Sequence, residues 1–134
     1  MSQFIAGKTS QEGNKAFTGF NPRNKEAGSK QFYNATVDEI DRAAKAASAA
    51  FEETRFYSPE KIAKFLDTVA DEIDAIGDEL LETADRETGL GLPRLTGERG
   101  RTTGQLRKFG ALLREGSYVD AIIGARLYRL GSEC

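Results

Sequence analysis

Residues 58–89 read SPEKIAKFLDTVADEIDAIGDELLETADRETG and predict the helix on which the rest of the chain depends. Ser58 followed by Pro59 is a typical helix start, because serine caps a free amide and proline lacks one. Gly89 is a suitable residue to end the helix. Large apolar side chains recur every three or four residues, the period of one helix face. They are Ile62, Phe65, Leu66, Val69, Ile73, Ile76 and Leu80.

This apolar face requires packing partners, since fully burying one large side chain is worth roughly 1.5–3 kcal/mol. The segment just upstream is the first candidate, because Thr36 and Glu39 have the spacing of a capping box at a helix start. The apolar stripe of that helix consists of Val37, Ile40, Ala44, Ala47 and Phe51. Its alanines permit close approach, so we expect the two helices to form an antiparallel α-hairpin.

A third helix is predicted downstream, running to about Arg114 and closing at Gly116. Gly97, Gly100 and Gly104 form a seam of small residues along it. Each interior glycine costs a helix roughly 0.5–1 kcal/mol relative to alanine, so the seam predicts that another backbone packs tightly against it. For residues 94–100 a frayed or broken helix start is the alternative interpretation.

The N-terminal region is predicted to be β-structure. Residues 4–6 and 16–20 are short apolar runs separated by a turn-rich spacer, which favours a hairpin. Residues 31–34 have the composition of a third strand, and together the three runs predict a small β-meander. Residues 117–123 also have strand character.

Composition excludes several classes of protein. The 134 residues carry 19 basic and 21 acidic side chains, with no block of like charge, so we expect neither nucleic acid nor an acidic membrane surface as a partner. No apolar run approaches the roughly 18 residues of a membrane span. The first residues lack the charged start and apolar core of a signal peptide. A single cysteine excludes an internal disulfide, so the chain is expected to be cytoplasmic. The absence of histidine removes the commonest general base and metal ligand.

Several stretches together resemble the N-terminal part of the aldehyde dehydrogenase superfamily. They are Phe20-Asn21-Pro22, the capped helix at 37–51, the helix end Glu87-Thr88-Gly89, LTGERGRTTGQLR at 95–107 and REGSYVDA at 114–121. The form LTGERGRT looks most like NADP-preferring dehydrogenases of 2-ketoglutarate semialdehyde (2,5-dioxopentanoate). The resemblance covers residues 4–121, and residues 122–134 read as a divergent tail. A truncated reading frame, a frameshift or an assembly artefact would each explain that tail.

The resemblance implies a fold and an activity. The fold is an α+β fragment, a short N-terminal β-meander followed by three helices, which forms the leading segment of an α/β Rossmann-like cofactor-binding domain. The activity of the family is oxidation of an aldehyde, here 2-ketoglutarate semialdehyde, to the carboxylic acid with NADP or NAD as hydride acceptor.

The resemblance also implies that the catalytic residues lie elsewhere. The cysteine nucleophile, glutamate base, oxyanion-hole asparagine and glycine-bearing cofactor turn of the superfamily all follow the portion that this chain matches. Cys134 falls in no matching motif and has no basic cluster in sequence to lower its pKa, so it is not assigned as the nucleophile. No catalytic, cofactor-binding or metal-binding residue is assigned, and the chain alone is predicted to be inactive and to bind no cofactor.

Three residues are candidates for the substrate entrance of an intact relative: Arg101, Arg107 and Phe109. The helix that carries them borders the entrance in the family, and the guanidinium fork suits a bidentate contact with a substrate carboxylate. The alternative is that Arg107 and Lys108 are surface charges of an amphipathic helix.

We also expect the chain to self-associate or to associate with dehydrogenase subunits, because its helices lack the sheet that they cover in the family. Exposed apolar area beyond a few hundred Å² typically marks an interaction surface. The alternative function is a stand-alone helical protein-interaction module.

Overall fold

The computed structural model describes residues 2–119. Its strands are β1 (Gln3–Ile5), β2 (Lys8–Ser10), β3 (Ala16–Asn21) and β4 (Glu26–Tyr33). Its helices are α1 (Val37–Thr54), α2 (Pro59–Ile76), α3 (Asp78–Thr88) and α4 (Leu92–Glu115), followed by a 3-10 turn at Ser117–Val119. The predicted α+β order, short strands and then helices, is confirmed. The predicted boundary between residues 121 and 122 lies outside the described residues and stays a prediction.

The strands form two separate hairpins, so the predicted three-stranded meander is wrong. β1 pairs antiparallel with β2, and β3 pairs antiparallel with β4. Ala6 and Gly7 both have positive φ, 50° and 79°, which is the backbone of a tight two-residue hairpin turn. The chain therefore reverses directly after β1, before it reaches the run at 16–20 that was expected to pair with it.

The helix predicted over 58–89 is two helices, because the chain breaks at Gly77. Gly77 has φ 67° and ψ −136°, a conformation that glycine adopts easily and that ends α2 while α3 begins at the next residue. The apolar period continues through this point, which is why periodicity alone predicts one helix. The fold thus has four helices rather than three in its described part.

The main helix pair is α2 with α4, and small residues line its contact. Ala63 and Ala70 of α2 are fully buried, and Thr103 and Gly110 of α4 are buried opposite them. A Cβ added at Gly110 would lie 3.0 Å from the Asp67 Oδ1 atom and 3.4 Å from the Ala63 carbonyl oxygen. The two backbones therefore approach each other too closely for a larger side chain at position 110.

The predicted α-hairpin of α1 with α2 is wrong, because α2 packs chiefly on α4 while α1 packs on β1. As a result, part of the predicted apolar face stays exposed: Phe65 of α2 is 65% exposed and Val37 of α1 is 80% exposed. Residues 117–119 form a 3-10 turn instead of a strand, and the rest of that predicted strand lies outside the described residues.

The glycine seam of α4 does not make the contact that was expected of it within residues 2–119. A Cβ added at Gly97, Gly100 or Gly104 would meet nothing within 4 Å. The segment is nevertheless helical from Leu92 onward, so the alternative of a broken helix start at 94–100 is wrong. The close approach of α4 to another helix occurs instead at Gly110, on the side of α4 that faces α2.

Glu39 attaches α1 to the N-terminal hairpin and is fully buried. Its Oε1 atom accepts hydrogen bonds from the Ser10 hydroxyl (2.6 Å) and the Glu12 amide (3.1 Å). Its Oε2 atom accepts from the Thr36 amide (2.9 Å), and the Glu39 amide donates to the Thr36 hydroxyl, which completes the predicted capping box. These donors, the Ser10 hydroxyl first, lower the pKa of the Glu39 carboxyl despite its burial.

Alanine at the two kinds of glycine in α4 should have different effects on stability. Gly104→Ala adds a methyl group in open space, so it should raise the free energy of unfolding by roughly 0.5–1 kcal/mol through helix propensity. Gly110→Ala has the same propensity gain but presses against Asp67 and Ala63, so it should be clearly less stable than Gly104→Ala. Urea unfolding followed by circular dichroism measures both, and equal gains would contradict the α2–α4 contact.

Glu39→Gln should reduce the pH dependence of stability. Because the carboxyl has a lower pKa in the folded chain than its ordinary value of 4.5, the ionised group stabilises the fold above that value. This stabilisation is lost as the pH falls through the lower folded pKa. Glutamine keeps the shape but turns one oxygen into a donor facing other donors, so Glu39→Gln should be less stable at pH 7 and lose less stability on acidification. The control is the exposed Glu72→Gln, and identical pH profiles for the two variants would contradict the role of Glu39.

Candidate functional site

Helix α4 carries all three substrate-entrance candidates, but it does not bring them to one face. An α-helix turns about 100° per residue, so Arg107 and Phe109 point to nearly opposite sides, whereas Arg101 and Phe109 lie about 80° apart. Phe109 is 49% exposed. The geometry of the helix therefore groups Arg101 with Phe109 and separates Arg107 from both.

Arg107 lies on the side of α4 that faces α2. Its Nη2 atom donates to Asp71 Oδ1 at 2.7 Å and to Asp74 Oδ2 at 3.0 Å. Hydrogen bonds first to Asp71 and then to Asp74 raise the pKa of the guanidinium. Arg107 thus joins the two helices in this structure, and its role at a substrate entrance stays a prediction.

Arg101 lies on the open side of α4 and pairs within its own helix. Its Nε and Nη2 atoms both donate to Glu98 Oε2, at 3.0 and 2.8 Å. The hydrogen bond from Arg101 is the main cause of the lowered pKa of Glu98. The Arg101 side chain is 75% exposed, so an incoming carboxylate has direct access to it.

A second charged cluster joins the β3–β4 turn to the α3–α4 junction, and sequence reasoning missed it. Arg23 donates two hydrogen bonds to Asp85, at 2.7 and 2.8 Å, and one to the Gly89 carbonyl at 3.2 Å. Asp85 also accepts from the Gly91 amide at 2.8 Å. Hydrogen bonding to Arg23, followed by that to Gly91, lowers the pKa of Asp85. Arg23 directly follows Asn21-Pro22, which belongs to a stretch that carries the family resemblance. That resemblance draws attention to the turn but does not predict the contact with Asp85.

Two concave regions flank these helices. One lies between the β3–β4 hairpin and α3, has a volume of about 510 Å³ and is lined by charges of both signs, among them Lys30, Glu79, Arg86 and Glu87. The other lies where α1 ends and α2 begins, has a volume of about 720 Å³ and is lined mainly by apolar surface. Neither is lined by a cysteine, so neither supplies a thiol nucleophile.

The described residues do not form a dinucleotide site of the strand–glycine-loop–helix kind. Among residues 2–119, strand β4 leads into α1 through Asn34, Ala35 and Thr36, and no glycine lies in that connection. The same residues include no group of three histidine, cysteine, aspartate or glutamate side chains that could hold a metal ion. Cys134 lies outside the described residues.

No helix of the described part of the chain is both long enough and apolar enough to cross a membrane.

Solved structures share this architecture. A NAD-dependent benzaldehyde dehydrogenase from Corynebacterium glutamicum superposes with a TM-score of 0.77 at 16% identity, over 84% of this chain and 25% of that one. A betaine aldehyde dehydrogenase from Staphylococcus aureus, solved in complex with NAD+, gives 0.75 at 24% identity, over 83% and 23% of the two chains. At these identities the likeness shows the fold alone.

Curated relatives are more similar in sequence. The alpha-ketoglutaric semialdehyde dehydrogenase of Acinetobacter baylyi is 48% identical over 96 residues, which is 72% of this chain and 18% of the relative. Alpha-ketoglutaric semialdehyde dehydrogenase 2 of Azospirillum brasilense is 47% identical over 85 residues, which is 63% of this chain and 16% of the relative. The chain therefore spans less than a fifth of the length of these relatives.

A family model also matches the chain, and it covers most of the described residues. The model described as the aldehyde dehydrogenase family matches residues 8–125, a range that includes β2 to β4 and all four helices. On this match and on the identities above, the chain belongs to the aldehyde dehydrogenase family.

Proposed function

We propose that this chain serves as the N-terminal segment of a dehydrogenase related to those that oxidise α-ketoglutaric semialdehyde to the dicarboxylic acid. The observation that carries the proposal is the 48% identity over 96 residues with the Acinetobacter baylyi enzyme of that name. An independent relative from Azospirillum brasilense bears the same substrate in its name and is 47% identical. Agreement of two relatives at this identity supports the substrate class more strongly than family membership alone.

In this proposal the chain supplies scaffold rather than chemistry. The reaction class is oxidation of an aldehyde to an acid with reduction of NADP or NAD, and neither of the two concave regions described above has a thiol to attack the aldehyde. The connection from β4 to α1 likewise does not fit a dinucleotide site. We therefore assign the chain alone no catalytic turnover and no cofactor binding. We also propose a cytoplasmic location, because a single cysteine suits a reducing compartment.

The semialdehyde has a carboxylate at its far end, and Arg101 is the entrance candidate best placed to receive it. Its guanidinium is 75% exposed and pairs only with Glu98 of the same helix among the described residues. Arg107, in contrast, already bonds two carboxylates of α2. The proposal therefore gives Arg101, together with Phe109, the substrate-facing role and gives Arg107 the role of holding α4 on α2.

A second candidate function is that of a helical interaction module. It is favoured by the apolar groove at the junction of α1 and α2, which has a volume of about 720 Å³. Such a groove suits a protein partner, including a dehydrogenase subunit, rather than a small polar substrate. The two candidates differ in whether the chain has a function without the rest of a dehydrogenase.

The substrate proposal is tested by a chimera in which this chain's residues 8–119 replace the matching segment of the Acinetobacter baylyi enzyme. We expect the chimera to oxidise α-ketoglutaric semialdehyde with a kcat/KM within about tenfold of the parent enzyme, since the exchanged segment supplies scaffold and, through Arg101 and Phe109, the proposed contacts with the same substrate. The unfused 134-residue chain should give no aldehyde-dependent NADH or NADPH. A folded but inactive chimera, or turnover by the chain alone, would contradict the proposal.

The roles of the two arginines are separated in the same chimera. Arg101→Ala should raise KM for the semialdehyde by roughly tenfold or more and leave KM for an uncharged aldehyde of similar length unchanged, because a charge-assisted hydrogen bond to the carboxylate is lost. Arg107→Ala is the matched control: it removes an exposed ion pair between α4 and α2, so it should change thermal stability only slightly and leave the ratio of the two KM values unchanged. The reverse pattern would assign the entrance role to Arg107.

A further inference from the structure

The guanidinium of Arg101 binds Glu98 through one of its two edges and leaves the other edge free. The side edge, made of Nε and Nη2, donates both of its hydrogen bonds to Glu98 Oε2, at 3.0 and 2.8 Å. The end edge, made of Nη1 and the second hydrogen of Nη2, forms no hydrogen bond within residues 2–119. Either edge of a guanidinium can receive a carboxylate in a bidentate contact, so the end edge of Arg101 is available to a second carboxylate.

Sequence spacing alone does not produce this contact, as a matched pair at the end of α1 shows. Glu52 and Arg55 are also three residues apart, in the same order along the chain. Arg55 donates to Glu52 through Nη1 at 3.3 Å, and its Nε atom makes no hydrogen bond to any described residue. The two shorter bonds from Arg101 therefore hold its guanidinium in one orientation, which the single bond from Arg55 does not do.

The sequence around Arg101 is basic apart from Glu98. Glu98 is the only acidic residue between Arg94 and Lys108. Because an α-helix turns about 100° per residue, Arg94 and Lys108 lie on the same side of α4 as Arg101. The hydrogen bonds and charge of Arg101, with a smaller contribution from the charge of Arg94, lower the pKa of the Glu98 carboxyl. The ionised Glu98 thus pairs with Arg101, while this side of α4 keeps an excess of positive charge that favours an incoming carboxylate.

The side of Arg101 away from Glu98 is open within the described part of the chain. A helical side chain leans toward the N-terminus of its helix, so the side chain of Arg101 extends between positions 97 and 98. Gly97 has no side chain, and a Cβ placed on it would meet nothing within 4 Å. A ligand can therefore reach Arg101 from the Gly97 side without displacing Glu98.

We propose that Glu98 is a positioning residue for substrate recognition: it holds the side edge of Arg101 so that the end edge meets the carboxylate at the far end of the semialdehyde. Glu98 acts through Arg101 and does not touch the substrate. A guanidinium that is already oriented loses less side-chain freedom when the substrate binds, which favours binding. This inference rests on the proposed function, because it takes Arg101 as the residue that receives the carboxylate.

The first test compares two substitutions of Glu98 in the dehydrogenase chimera. Glu98→Ala should raise KM for the semialdehyde by about threefold or more, with kcat and the KM for an uncharged aldehyde unchanged. Glu98→Gln keeps an acceptor oxygen for the side edge of Arg101, so its KM should stay within about twofold of that of the chimera. A purely electrostatic effect predicts the opposite sign, because removal of a negative charge would lower KM in both variants. The control is Glu72→Ala, which removes the same charge from an exposed position on α2 and should change neither KM.

The second test examines the contact itself in the 134-residue chain, by NMR of the arginine Nε–H groups. The Nε–H proton of Arg101 should exchange with water more slowly than that of Arg94, because only Arg101 donates its Nε–H to a carboxylate. Glu98→Ala should remove this difference, and Glu98→Gln should keep part of it. This measurement needs no dehydrogenase activity.

The outcomes separate this inference from the proposed function. If Arg101→Ala raises KM for the semialdehyde but Glu98→Ala leaves it unchanged or lowers it, the positioning role of Glu98 is wrong and the role of Arg101 stands. Equal KM values in Glu98→Ala and Glu98→Gln, or equal exchange of the Arg101 and Arg94 protons, would also overturn the positioning role. If Arg101→Ala has no selective effect, the entrance role of Arg101 is wrong, and this inference fails with it. A selective rise of KM in Glu98→Ala that Glu98→Gln avoids would support the inference.

Discussion

The close contact between α2 and α4 is the constraint on which the rest of this structure depends. It is made by residues without large side chains, with Ala63 and Ala70 of α2 facing Thr103 and Gly110 of α4. Because Gly110 has no side chain, α4 lies close to the Ala63 carbonyl of α2, and a Cβ at position 110 would make a tighter contact with α2 than is usual. The orientation of α4, and with it the direction in which Arg101 and Phe109 point, follows from this contact.

Arginines of α4 and carboxylates of α2 set the register of the same pair. Arg114 bonds Glu60 and Asp67 near the start of α2, Arg107 bonds Asp71 and Asp74, and Arg99 donates to the carbonyl of Gly77 at its end. Residues later in α4 thus bond to residues earlier in α2, which is the order of contacts in an antiparallel helix pair. Exposed ion pairs add little stability, so these pairs mainly fix the relative position of the two helices. The close contact itself is made by Ala63, Ala70 and Gly110.

Sequence reasoning succeeded where the signal is local and failed where it depends on distant partners. The Thr36–Glu39 capping box, the Ser58-Pro59 helix start and the αL residue Gly89 are each confirmed, because a cap is determined by three or four neighbouring residues. The break at Gly77 was missed because the apolar period runs through it. Sequence reasoning predicted that α2 packs on α1, the nearest helix in sequence. In the structure α2 packs on α4, where Gly110 allows the two helices to lie close together. The Arg23–Asp85 pair spans 62 positions, and no local pattern announces it.

The family resemblance and the apolar patterns answer different questions about function. The resemblance identifies the chain as a segment of an aldehyde dehydrogenase. The described residues of this segment contain no cysteine and no strand–glycine-loop–helix connection for a dinucleotide. The sequence patterns show which surfaces lack a contact within residues 2–119. They are the side of α4 that carries Gly97, Gly100 and Gly104, and the exposed side of α1 that carries Val37 and Phe51. In relatives of which this chain spans 16–18%, far more chain is present to meet such surfaces. Each of the two helices is packed on its other side, α4 on α2 and α1 on β1, so each presents half of a contact that residues 2–119 do not complete.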